Sequence, residues 1–354
     1  MSSPTAPGDQ FIARDVYAAY PHCNAFFDDG RRMVVGDATA PRLLVVDVEP
    51  DASPELVLDL RPLGDGDGRL LWFDVAVNAP ILATTWSDSV ITLELADASA
   101  APSIVYTAGA DARIDGLVSI NAEGTKVAAI EVRDADRSLL VIDLATGRVD
   151  RRLHVAWTAN HVQFSPADDE WIGFAHEGAS TEVDDRVWGS HPVLAPFGRP
   201  LADQAALSSE DRPLALGHER WMFHRADAIV VAYGDGPSPR GVWEVPTDDR
   251  APRLLSAGER DWHCGISRDG TRIVVDTTGP ADAPGSGWTD AGDRSTLVVI
   301  DVADGSRRAL TETRFLPHPF HPHPAFTPDG TRIVFNRVDD DGTRGVAVVD
   351  ALLL

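Results

Sequence analysis

The sequence predicts an all-β chain folded as a seven-bladed β-propeller, and three observations carry that reading. A hairpin unit recurs along the chain, its recurrence interval is that of a propeller blade, and no stretch of any length shows the helical period. The unit is clearest in "ISRDGTRIVVDTT" (266–278) and "FTPDGTRIVFNRV" (326–338), each a short strand, an Asp-Gly turn and a second strand rich in Ile and Val. "FFDDGRRMVVGD" (26–37) and "SINAEGTKVAAIE" (119–131) repeat it, and "VAVNAPILATTW", "FSPADDEWIGFAH" and "FHRADAIVVAYG" are weaker copies.

Taken in order, the turns fall at residues 30, 78, 124, 169, 226, 270 and 330, at intervals of 48, 46, 45, 57, 44 and 60. A third strand follows several hairpins, as in "RLLVVDVEP", "SLLVIDLATG" and "STLVVIDVADG". The last unit ends after its third strand, "GVAVVDALLL", whereas about twenty-five residues precede the first hairpin. The segment around "FIARDVYAAY" is therefore expected to supply the missing strand and close the ring. A single propeller domain over 1–354 follows, with Pro- and Gly-rich insertions expected at about 178–217 and 279–294 as loops on one rim.

Composition narrows the function classes. The apolar fraction is 44% with no apolar run long enough to span a bilayer, and "MSSPTAPGDQFIARD" has neither a basic nor an apolar leader region, so a cytoplasmic protein is expected. Cys23 and Cys264 are the two cysteines, which makes no disulfide framework. A net charge of −24 opposes nucleic acid or an anionic membrane as partner, and no obligate protein partner is expected. There is no nucleophile elbow, Walker loop or dinucleotide fingerprint.

The chemistry-bearing residues are histidines. In a propeller the strand before each hairpin is innermost, and its start faces the mouth of the axial channel. His161 in "HVQF", His263 in "HCGI" and His323 in "HPAF" share that register, so three blades aim an imidazole at one place. His321 precedes His323 by two positions, which in extended chain puts both on one side, and His318 lies in the Pro-punctuated approach "FLPHPFHPHPAF". A lone histidine would be an ordinary surface or core residue. Four converging imidazoles without a thiolate suit Mn²⁺, Fe²⁺, Ni²⁺ or Zn²⁺, and His263, His318, His321 and His323 are the candidate ligands. His161, two blades earlier, is read as a channel-lining hydrogen-bonder or a substrate contact. "LGHERW" brings His218 to the channel mouth, and "DDRVW" brings Arg186 to a nearby rim, where a guanidinium can clamp a carboxylate.

The ordered run "HVQFSPADDEWIGFAHEG", "DDRVW", "GHERW", "WHCGISRDG" and "HPHPAFTPDG" resembles the motifs of the oligogalacturonate lyases, seven-bladed propellers that cleave short pectin fragments with bound Mn²⁺. The resemblance covers the chain from about the third blade onward. It implies Mn²⁺ as cofactor, His263, His321 and His323 as ligands, His218 as the base and Arg186 as the carboxylate clamp. His318 stands where the family has a glutamine ligand, and Arg220 stands where it has Phe, adding a charge for substrate binding. The implied reaction is β-elimination of short, unsaturated oligogalacturonides to a 4-deoxy-5-keto-uronate, and the acidic surface favours short anionic oligouronides over long pectate. Two other readings stand beside it: a non-catalytic propeller scaffold, and a metal-dependent lyase for another uronide.

Overall fold

The computed structural model describes residues 8–63, 70–179, 182–279 and 291–351. These residues form seven antiparallel sheets, one for each expected blade. Six sheets have four strands. The first has five, because Phe26–Phe27 pairs with Arg32–Asp37 beside Val16–Tyr17.

The Asp-Gly unit builds both the turn and the joint between blades. In blade six the Asp269 carboxylate accepts from Ser267 Oγ at 2.6 Å and from the Thr271 amide at 3.0 Å, while Gly270 takes φ +73°. Blade seven repeats this with Asp329, Thr327, Thr331 and Gly330. A carboxylate that satisfies the turn's own donors, followed by a residue tolerant of positive φ, makes the hairpin a local property of the sequence. The arginine that follows reaches sideways. Arg272 donates to the Gly330 carbonyl of the next blade at 2.8 Å, and Arg332 donates to the Val48 carbonyl of blade one at the same distance. Lys126 likewise meets Asp169 of blade four at 3.3 Å.

Alternation within the second and third strands gives each blade two apolar faces. Val34, Ile130, Val230, Ile273 and Phe335 are almost fully buried between neighbouring blades. Ring closure follows the expected route: Gln10–Arg14 pairs with Arg344–Asp350, so the first strand completes the blade built by the last three. Ile12 is fully buried in that seam.

Two features depart from the sequence reading. Much of 178–217, expected as a rim loop, is regular: Val187–His191 and Ala195–Pro200 are the outer strands of blade four, and Asp203 caps the short helix Gln204–Leu207. Prolines and glycines within those strands masked their alternation. Of 279–294, residues 280–290 lie outside the described residues, and the strand Arg294–Asp301 begins at the end of the stretch.

The second departure concerns residues 18–25. They enter the axial channel and touch every other blade. Asn24 bonds Asp74 and Val75 of blade two, Cys23 Sγ points to the Val118 carbonyl of blade three, and Tyr20 packs on His161 and His263 of blades four and six. Arg220 of blade five donates to the Pro21 carbonyl, and Asn336 of blade seven accepts from the Ala18 amide.

Closure leaves no room for a side chain at Gly345, whose Cβ would lie 2.1 Å from the Ala13 carbonyl oxygen. Gly345→Ala is expected to lower stability in urea unfolding by about 1–3 kcal/mol. Unchanged stability would contradict this account of the seam.

Candidate metal and catalytic centre

The inner strands of blades four, five and six share an irregularity. Pairing slips between Asn160 and Gln163, between Gly217 and Arg220, and between Asp261 and Cys264. Each slip is a bulge holding a histidine: His161, His218 and His263. His161 and His218 adopt φ of +54° and +55°, and His323 in blade seven adopts +47°. Positive φ is unfavourable for a side chain with a Cβ, and bulges redirect the residues they hold. Here they turn the imidazoles from the blade faces into the channel. His218 therefore shares the register of the other three, a fourth blade in the pattern.

The centre of the arrangement is His263, whose ring lies 4.2 Å from that of His218, 4.6 Å from His323 and 5.4 Å from His321, measured between centroids. Ligand-capable nitrogens of His263, His321 and His323 all lie within 4.8 Å of one another. His318 stands beside them, its ring 4.0 Å from that of His321 but more exposed and outside this close group. The strand period does not bring His321 to His323 as expected, because the blade-seven inner strand is only Ala325–Phe326. The irregular approach and the left-handed turn at His323 do so instead.

Asp276, on the second strand of blade six, anchors this group. Its carboxylate accepts from the His263 amide at 2.7 Å, faces His263 Nδ1 at 2.9 Å and accepts from the His323 amide at 3.2 Å. Burial pushes the Asp276 carboxyl up, and burial together with the neighbouring imidazoles pushes His263 down and keeps its ring neutral. In the tautomer whose Nδ1–H donates to the Asp276 carboxylate, the Nε2 of His263 carries a free lone pair. That atom, Nδ1 of His321 and both ring nitrogens of His323 are buried without a hydrogen-bond partner. Burial also lowers His321 to about 3. Neutral imidazoles with unpartnered nitrogens, one of them oriented by a carboxylate, are the donor set a divalent transition ion requires, and these residues fit one.

His218 adjoins the group with a different role available to it. Its Nδ1 meets the Trp262 carbonyl at 2.5 Å. A carbonyl only accepts, so Nδ1 carries the proton and Nε2 is the basic atom. Burial, then the charge of Arg186, keeps the ring well below its ordinary pKa and hence neutral.

Arg186 lies inside the protein rather than on a rim, with 5% of its surface exposed. Its Nε meets Glu219 at 3.2 Å, and its two terminal nitrogens meet Glu177 at 3.1 and 3.0 Å. Burial opposes its charge, but Glu219 and Glu177 overcome that and hold it firmly protonated. Glu177 also meets His161 Nε2 at 3.1 Å. Burial would raise Glu177, yet His161 and Arg186 outweigh it and bring the carboxyl to about 2. Arg220 does not join His218; its side chain points along the channel away from the metal group, toward Phe223 and the Pro21 carbonyl.

Sequence reasoning missed three residues here. Asp276 was legible only as a carboxylate inside an otherwise apolar strand, "RIVVDT". Tyr20 and His22 belong to the segment expected simply to close the ring. The Tyr20 ring lies 5.2 Å from His323, 5.1 Å from His161 and 4.8 Å from His22.

A second group, Asp168, Glu170 and His191, also places ligand-capable atoms together. His191 Nδ1 accepts from the Val193 and Leu194 amides, which leaves its Nε2 protonated and donating to Glu170 at 3.3 Å. Hydrogen bonding accounts for that group without an ion. A cavity of about 710 Å³ opens on the opposite face among the hairpin turns of blades one and two, away from the histidines.

The family model for oligogalacturonate lyase matches residues 126–351. The oligogalacturonide lyase of Pectobacterium atrosepticum is 25% identical over 215 residues and the oligogalacturonate lyase of Dickeya dadantii 28% over the same length; each alignment covers 58% of this chain. The chain aligns with about half, 53%, of the length of these curated relatives. An oligogalacturonate lyase solved in complex with manganese superposes with a TM-score of 0.77 at 21% identity, covering 95% of this chain and 90% of that one. The oligogalacturonate lyase of Vibrio parahaemolyticus gives 0.77 at 19% identity, covering 96% and 92%. These two likenesses show the propeller fold, and the sequence match over well more than half of the chain shows its lineage: the chain belongs to the oligogalacturonate lyase family.

Proposed function

We propose that this chain is a metal-dependent lyase that cleaves short oligogalacturonides by β-elimination and releases a 4-deoxy-5-keto-uronate, with His263, His321 and His323 holding Mn²⁺ and His318 as a further ligand. The observation that carries the reading is the set of buried, unpartnered imidazole nitrogens beside a neutral base and a charged arginine. Manganese is favoured over other divalent transition ions by the solved relative that contains it; the nitrogen donor set requires such an ion without selecting among them.

The chemical difficulty is the proton on C5 of the uronate, which becomes acidic only when the adjoining carboxylate is neutralised. A bound divalent ion supplies that neutralisation. The protein's own residues do the rest. Arg186, held charged and in place by Glu177 and Glu219, presents fixed positive charge to the same carboxylate. His218 Nε2 takes the C5 proton; the electrons of that C–H bond form the C4–C5 double bond as the C4–O4 bond breaks, and O4 leaves with its electron pair and takes up a proton. Tyr20 and His161 wall the site, with His161 placed to contact substrate. The buried setting excludes water, which strengthens each charge interaction.

His218→Ala is expected to lower release of keto-uronate from unsaturated digalacturonate by about 10²–10⁴-fold while bound manganese stays stoichiometric. Loss of the metal together with activity would assign His218 to the metal instead. The double variant His321→Ala/His323→Ala is expected to purify without stoichiometric metal by elemental analysis, whereas retention would place the ion elsewhere. Because Glu177 titrates at about 2 rather than at 4.5, its contribution is complete above pH 4.5 and is lost as pH falls toward 2. Glu177→Gln is therefore expected to be less stable than the wild type by about 2–3 kcal/mol at pH 7, a gap that narrows by about 1 kcal/mol at pH 4 in urea unfolding. A gap that widens on acidification would contradict the ion-pair assignment.

A further inference from the structure

On the hairpin side of the channel plug, the chain buries a guanidinium that no carboxylate among the described residues meets in an ion pair. Arg220 is 8% exposed, and its one hydrogen bond among the described residues is a long 3.4 Å contact from Nη1 to the Pro21 carbonyl. Other buried ion-pair members are matched directly: Arg186 with Glu177 and Glu219, and Asp261 with Arg307. Asp74, the nearest acid, is already engaged, accepting from the Asn24 amide, the Ile120 amide and Ser119 Oγ. Arg268 also has no ion-pair or hydrogen-bond partner among the described residues. It stands over the same aromatic ring as Arg220, the two guanidinium carbons lying 5.6 and 4.8 Å from the centre of Phe223.

Two like charges about one ring repel, and burying an ion without a directly paired counter-charge is costly. Between them is a cavity of about 20 Å³ whose lining includes Arg220, Arg268, Cys23, Phe223 and Phe326 and no carboxylate. A single water-sized sphere needs roughly 10–15 Å³, so the space admits one small particle and excludes a sugar or an organic acid. Arg268 and Phe26 line this cavity and also the 710 Å³ groove on the hairpin face, so these two side chains stand between the place and the groove.

We infer that Arg220 and Arg268 form a binding site for one small monovalent anion of the halide class, chloride in a cell, set between the channel plug and the inner strands and turns of blades five to seven. The apolar walls suit a weakly hydrated monatomic anion, and the paired guanidinium groups supply its counter-charge. Arg220 also holds the Pro21 carbonyl, so the anion steadies the segment that carries Tyr20 and His22 into the channel. The site is independent of the lyase reading.

Two measurements test it. In crystals grown with sodium bromide, a bromide anomalous peak is expected in contact with both guanidinium groups; peaks found only on the outer surface, or none, would overturn the proposal. In thermal unfolding at constant ionic strength, replacing sodium gluconate with sodium chloride is expected to raise the midpoint of the wild type by about 2–4 °C, and that response is expected to vanish in Arg268→Met. Absence of the response in the wild type, or an equal response in Arg268→Met, would equally overturn it. Arg268 is partly exposed, so its replacement leaves the buried packing in place, and the bromide experiment needs no variant at all.

Discussion

The site depends on one buried carboxylate. Asp276 accepts the backbone amides of His263 and His323 and faces the His263 ring, so it fixes two histidines from neighbouring blades against each other. No other hydrogen-bonding group described here joins two of the proposed ligands. A buried carboxylate in an apolar strand is costly unless it is satisfied, and three contacts satisfy it. The second strand of blade six thereby acts as a template for the inner strands on either side.

Backbone geometry does the second part of the work. Regular inner strands would aim alternate side chains into the gaps between blades, where apolar residues pack. Bulges at His161, His218 and His263, with left-handed backbone at His161, His218 and His323, turn four imidazoles toward the axis instead. Such conformations persist only where surrounding contacts determine them, and the Trp262 carbonyl, Glu177 and Asp276 provide those contacts. Burial then keeps His218, His263, His321 and His323 neutral, which is the protonation state both a ligand and a general base need.

The fold was legible because its signals are local. An Asp-Gly turn satisfies its own donors, and its recurrence at blade-sized intervals counts the sheets. The equivalent register of His161, His263 and His323 was legible for the same reason, since position relative to a hairpin is a local count. What the sequence hid is long-range. Asp276 acts across blades, Tyr20 and His22 act from a segment whose path through the channel no periodicity encodes, and Arg186 is buried only because Glu177 and Glu219 converge on it from separate strands. Arg220 shows the limit from the other side. Its neighbour His218 faces the metal group, but the bulge sends the Arg220 side chain the other way, so adjacency in sequence misplaces it.

The most direct test of the account is anomalous diffraction at the manganese edge from crystals grown with Mn²⁺. The account predicts a single strong peak on the channel axis, within a coordination distance of about 2 Å of nitrogens from His263, His321 and His323, with Asp276 still bonded to His263 Nδ1. A peak at Asp168, Glu170 and His191, or none on the axis, would contradict it.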